Sequence, residues 1–308
     1  KYAKGHLVKN YLNLEPRMAV SFIMNNSSSL KASYVRNTQN LHLIANSVTS
    51  FPTDKWIAST NLIKPETSNL YAIGWYKNLE DNQYELTTEA YYKTMQNQID
   101  YRTGADVYTN DAIESQILFG VGRAYGFETM VKKNNGNLTG WLSYTLSKTE
   151  RKIDGINDGQ WYNARQDRTH DFSIVANYQL NNKWNLSANW VYYTGDAVTF
   201  PSGKYVIDQQ IVFYYTKRNA YRMPAYHRLD LGAAYQWNGT PFFVKWALKD
   251  TQQKKWNNEL TFSLFNAYGR ENAYVISFSQ NEDDPSKTDA VQTSLFRFVP
   301  SISYNFKF

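Results

Sequence analysis

The segment Arg165-Gln166-Asp167-Arg168-Thr169-His170-Asp171 is the most tempting place in this chain to look for chemistry. A histidine beside an aspartate suggests an acid–base pair. On a strand, however, adjacent side chains point to opposite faces, so His170 and Asp171 cannot form a relay. The expectation is a loop-to-strand junction held by salt bridges, with Arg165, Asp167 and Arg168 as candidate ligand contacts. Arg218, Arg222, Arg270 and Glu271 read as rim ion pairs of the same kind. The chain has only 4 histidines and 0 cysteines, which excludes a disulfide scaffold, a cysteine-ligated zinc site and a cysteine nucleophile. No Gly-x-Ser-x-Gly, Walker loop, His-Glu-x-x-His or EF-hand loop is present. A non-enzyme with no metal and no cofactor is therefore expected.

The remaining candidates depend on which way a strand turns them. Glu85 and Glu89 oppose the apolar set Tyr84, Leu86, Ala90 and Tyr92. Glu128 opposes Phe127, Thr129 and Val131, and Arg228 and Asp230 oppose Leu229, Leu231 and Tyr235. These charges are expected to face a wet interior, because an Arg or Lys facing lipid costs about 2–4 kcal/mol at midplane. There they pair with neighbours or with a plug, or they meet substrate. Trp56, Tyr101 and Trp161 lie in long connectors, where rings stack on a ligand or pack loops together.

The elements that hold these residues alternate with period two. Phe172, Ile174, Ala176, Tyr178 and Leu180 share one face. Asn181-Asn182-Lys183 makes a turn, and Trp184, Leu186, Ala188, Trp190 and Tyr192 share a face again. The same hairpin recurs as Arg17–Met24 with Leu30–Arg36, Asn69–Lys77 with Gln83–Lys93, and Gly120–Lys133 with Asn137–Thr149. Tyr226–Trp237 and Asn257–Tyr268 have a longer connector, and a last strand runs from about Val291 to Phe308. That is roughly eleven strands of near-transmembrane length. Short turns fall on one rim and long segments on the other, the arrangement of an outer-membrane barrel.

Composition agrees. The chain has 25 Tyr, 16 Phe and 9 Trp among 308 residues, yet its mean hydropathy is negative. Rings interleaved with polar residues fit aromatic girdles outside and water inside, with Trp184 and Trp256 at the inner interface. The net charge of +6 is scattered without a basic run, which argues against nucleic acid as a partner. No run of about 18 apolar residues forms a transmembrane helix, and Lys1 to Asn10 has no apolar signal region. Counting back from the last strand starts the first strand at the long-loop rim. The expected fold is thus all-β, an antiparallel transmembrane β-barrel. The 308 residues are expected to be the C-terminal half of a 22-stranded plugged barrel, with an N-terminal half and plug upstream.

Ile302, Tyr304, Phe306 and Phe308 lie on one face and end on an aromatic. They look like the C-terminal signal read by the barrel assembly machinery, carried by Tyr304, Phe306 and Phe308. Several segments in order resemble the barrel of TonB-dependent receptors: Leu14-Glu15-Pro16-Arg17, Leu30-Lys31-Ala32-Ser33-Tyr34, Tyr125-Gly126-Phe127-Glu128, Gly140-Trp141-Leu142-Ser143-Tyr144-Thr145-Leu146-Ser147, Arg165 to Asp171, and Met223-Pro224-Ala225-Tyr226-His227-Arg228-Leu229-Asp230-Leu231. The resemblance covers nearly the whole chain, without a plug domain or a TonB box. It implies a Gram-negative outer-membrane protein in contact with the lipid bilayer and lipopolysaccharide. It further implies an N-terminal plug and barrel half, a TonB complex acting through the plug, and in some cases a surface lipoprotein. The substrate class it implies is an iron chelate, a vitamin, a glycan or a peptide, held by outer loops and plug apex. A structural barrel or passive pore that binds a surface partner is the alternative.

Overall fold

The computed structural model describes residues 9–44, 54–105, 113–208, 210–239, 256–284 and 286–307. Eleven strands form one antiparallel meander. They are β1 (Arg17–Asn25), β2 (Ser28–Gln39), β3 (Glu66–Leu79), β4 (Tyr84–Tyr101), β5 (Ile117–Lys133), β6 (Leu138–Ile153), β7 (His170–Gln179), β8 (Trp184–Tyr193), β9 (Tyr226–Asn238), β10 (Asn257–Phe265) and β11 (Val299–Lys307). Each pairs with the next in chain order, so among the described residues this sheet has neither parallel crossovers nor strand swaps. Among the described residues, β1 pairs with β2 and β11 with β10.

Local chemistry explains the tight turns. Asn25 accepts the Ser27 N–H at 2.9 Å, an Asx turn between β1 and β2. Glu80, Asp81 and Asn82 adopt positive φ between β3 and β4; Asn and Asp tolerate that region better than most residues. Asn181 accepts both the Lys183 and Trp184 N–H groups between β7 and β8. Gly140 in β6 has φ +148 and leaves no room for a side chain, since a Cβ there would lie 2.0 Å from the Val175 carbonyl oxygen.

Side chains then separate by parity. One apolar row runs Leu86, Val131, Leu142, Ile174, Trp190, Leu229 across six strands in register. Another runs Leu138, Tyr178, Leu186, Ala233, Phe262, Ile302. Much of this face is exposed, including Ile73 at 58% and Ile302 at 69%. Rings border it. At the long-connector side Tyr34 meets Tyr71 and Tyr192 meets His227; at the short-turn side Trp184 meets Tyr235 and Trp237 meets Tyr304.

The buried core lies elsewhere. Ile44, Ile63, Ile99, Tyr101 and Ile117 cluster above β4 and β5, and Ile153, Ile156 and Tyr162 cluster above β6. The long connectors therefore pack into a crown at one end of the wall. They carry their own short strands, among them the hairpins Leu41–Ile44 with Lys55–Ala58 and Gly203–Ile207 with Gln210–Tyr214.

Several boundaries differ from the sequence reading. The strand expected from Val291 begins at Val299, because Thr288–Thr293 pairs with Val275–Gln280 as a separate hairpin. Pro300 is accommodated in β11, an edge strand, where a missing N–H is tolerated. Conversely β4 continues to Tyr101 and β6 to Ile153, beyond the expected Lys93 and Thr149. These extensions leave the lipid-and-water environment of the wall and enter the crown, where Ile99, Tyr101 and Ile153 are buried in its clusters while the backbone ladder continues.

Candidate functional site at the mouth of the polar face

The polar face is furnished most densely where β7, β8 and β9 meet the long connectors. Asp171 stands opposite Tyr193, and Tyr193 opposite Tyr226. The two tyrosine rings stack at 4.6 Å with an interplanar angle of 7°. The Arg168 guanidinium lies 3.8 Å over Tyr193, and its Nε donates to Asp196 at 3.3 Å. Arg228 lies 4.1 Å over Phe265, bonds to Asp230 at 2.9 Å and donates to the Tyr226 hydroxyl at 2.9 Å. Asp230 also accepts the Asn266 N–H at 2.9 Å, which ties β9 to the end of β10. Together these side chains border a recess of about 290 Å³ lined by Arg168, Asp171, Ser173, Val191, Tyr193, Tyr226 and Arg228.

Deeper in the same face, Glu89 and Glu128 are direct register partners on β4 and β5. Glu89 accepts a hydrogen bond from Tyr76 at 3.2 Å, and Lys31 sits over the Tyr76 ring at 4.2 Å. Neither carboxylate has an ion-pair partner among the described residues. Glu85, nearer the short turns, is engaged by Asn134 at 2.7 Å and by Lys132 at 3.8 Å.

The other candidates belong to the crown. Asp167 is fully buried; it pairs with Arg222 and accepts the Thr149 N–H. Arg165 reaches Asp54 at 3.1 Å, joining two connectors. Tyr101 is 3% exposed and packs in the first crown cluster. Trp161 stacks under Arg123, at 4.2 Å, and Arg123 shares the face of Tyr125 and Phe127. Trp56 is exposed at the crown surface. His170 bonds to the Tyr144 hydroxyl at 2.9 Å, on the face opposite Asp171. Thus Arg168, Arg228 and Asp230 come together. Asp167 and Tyr101 hold loops, and Trp161 sits on the other side. Tyr304 and Phe306 are on β11, while Phe308 lies outside the described residues.

The ion pair expected of Arg218 is present, with Asp100, a partner the sequence reading did not name. Arg218 and Asp100 form an ion pair at 2.7 Å, with their side chains 6% and 8% exposed. Arg218 also donates to the Tyr101 carbonyl at 3.0 Å, and Tyr162 donates to Asp100 at 2.9 Å. Burial, and then the Asp100 carboxylate, push the Tyr162 phenol well above the ordinary tyrosine range. Asn157 accepts the Arg218 N–H and donates to its carbonyl.

A family model described as "TonB dependent receptor-like, beta-barrel" matches residues 4–268. The chain belongs to this family. Solved structures give the same fold. P. aeruginosa FpvA bound to a heterologous pyoverdine matches at 13% identity over 95% of this chain and 33% of that one, with TM-score 0.58. The unliganded ferric citrate transporter FecA matches at 15% identity over 95% and 38%, with TM-score 0.55. The ferric-catecholate import receptor Fiu of E. coli K12, in closed form, matches at 14% identity over 94% and 34%, with TM-score 0.52. The chain therefore spans between 33% and 38% of the length of these receptors. No curated protein matches it in sequence. The exposed apolar face with ring borders is the lipid face of such a wall, and the charged face is the lumen side. The recess then sits at the outer mouth of the lumen, beneath the crown.

Proposed function

We propose that this chain is barrel wall from an outer-membrane receptor that takes up a nutrient by energised, TonB-coupled transport. The observation that carries the reading is the Glu89–Glu128 pair. Like charges directly opposite on neighbouring strands destabilise a sheet. Glu128 is exposed, so water screens the pair, and at a separation of about 5 Å the repulsion is about 1 kcal/mol. A cationic segment filling the lumen removes that cost, and a filled lumen needs work to open. A movable plug held by the wall carboxylates meets both requirements. Partner binding at the crown, insertion by the barrel assembly machinery and contact with lipopolysaccharide or a surface lipoprotein belong to this proposal.

The test is uptake by cells with and without TonB, and with the proton gradient collapsed. Accumulation that stops in both cases supports energised transport. Accumulation that continues identifies a passive pore and sinks the proposal. Glu89→Gln with Glu128→Gln weakens plug retention, read as increased sensitivity to a large antibiotic normally excluded by the outer membrane. Unchanged sensitivity removes the carboxylate pair from the argument.

A further inference from the structure

The charges around the mouth recess do not cancel. Arg228 is committed to Asp230 and Tyr226. Asp230 has a second commitment to the Asn266 N–H. Arg168 uses its Nε for Asp196 and one face for Tyr193, which leaves its terminal N–H groups without an acceptor among the described residues. Asp171 lines the recess beside Tyr193, and its carboxylate has no hydrogen-bond or ion-pair partner among the described residues. The local balance is two Arg–Asp pairs and one uncompensated carboxylate.

We propose that this recess seats the free amino end of a peptide-like ligand. Asp171 takes the ammonium group, and the terminal N–H groups of Arg168 take the adjacent carbonyl oxygen. The assignment rests on the uptake reading and narrows its substrate class. A cation completes the charge balance, whereas an anionic group would meet Asp171 uncompensated. A bare metal ion does not fit, because no cluster of three or more His, Cys, Asp or Glu occurs among the described residues. An ammonium with a neighbouring oxygen acceptor uses both free functions at once. The recess, at about 290 Å³, sits at the lower end of ligand-site volumes. It suits one residue of a peptide, with the rest of the ligand extending under the crown. The stacked Tyr193–Tyr226 rings give it a rigid floor.

The experiment uses the intact receptor purified from its own outer membrane. It is incubated with a mixture of unblocked tripeptides or with the same mixture N-acetylated, and retained peptide is quantified by mass spectrometry after gel filtration. Unblocked peptides should be retained at least about tenfold more strongly, the scale of one charge-assisted hydrogen bond. Asp171→Asn should abolish that preference, and Arg168→Gln should weaken binding while keeping it. Heat-modifiable migration on gels confirms that each variant is folded. Equal retention of the two mixtures, or a preference unchanged by Asp171→Asn, overturns the assignment. If tripeptides are not retained while energised uptake of another solute persists, the ligand class falls and the uptake reading stands. If they are retained but their entry needs no energy, the uptake reading falls and the site stands.

Discussion

Substituting Arg218 by alanine should unlock the crown. The ion pair with Asp100 spans 2.7 Å, and both side chains are nearly excluded from water. Removing one partner of such a pair leaves an uncompensated buried charge, typically at a cost of about 3–5 kcal/mol. With a factor of ten per roughly 1.4 kcal/mol, local opening should become about a hundred- to several-thousand-fold more frequent. The amides to watch are those of Arg218, bonded to Asn157 at 2.7 Å, and Asn219, bonded to Thr199 at 2.9 Å. Their hydrogen exchange, followed by mass spectrometry on the receptor in detergent, should accelerate by that factor. Amides of β7 and β8 should not change, because the wall does not depend on the clamp. The double variant Arg218→Met with Asp100→Asn should recover much of the protection, since it leaves no buried charge. Arg218→Ala exchange within about threefold of the native rate would refute the reasoning, as would a double variant looser than the single one.

Other consequences can be checked more briefly. Ile174→Lys places a charge near the middle of the lipid face and should cost about 2–4 kcal/mol, seen as a lower folded fraction in denaturant titrations of receptor in bilayers. Val175→Lys, one residue along and facing the lumen, should cost much less. The Tyr162 phenol is raised, so its contribution to the crown is fully present below the unfolded tyrosine value of 10.0 and is lost as pH rises past it. Tyr162→Phe should flatten that alkaline loss in exchange measurements at the crown amides. Deleting Phe308 should lower the amount of receptor at the cell surface while leaving its synthesis intact; normal surface levels would argue against an assembly signal.

The wall was legible in the sequence because two solvents write it. Every second residue of a strand meets lipid and the others meet water, so Ile174 against Ser173, or Leu231 against Asp230, carries its own orientation. Turns were legible for a similar local reason, as Asn181 supplies the acceptor for its own turn. The start of the last strand was not. Thr288–Thr293 also alternates, and only its pairing with Val275–Gln280 shows that it belongs to the crown. Period two reports a strand but not its sheet.

Arg168, Arg228 and Asp230 were legible as candidates, but their partners were not. Asp100 and Arg218 are 118 residues apart, and although Arg218 read as a rim ion pair, nothing local pointed to Asp100 as its partner. What makes them a clamp is burial supplied by Tyr162 and the isoleucines around them, and no local pattern encodes that. The recess was hidden more subtly. Tyr192 and Tyr193 read as a doublet, and alternation drew attention to Tyr192 as a lipid-face ring. Tyr193 turns inward, stacks on Tyr226 and carries Arg168. Likewise His170 drew the attention that Asp171 warranted: the geometry that rules out a His–Asp relay is also what points Asp171 into the lumen. Parity thus eliminates one chemistry and, by the same step, identifies the unpaired carboxylate on which the ligand assignment depends.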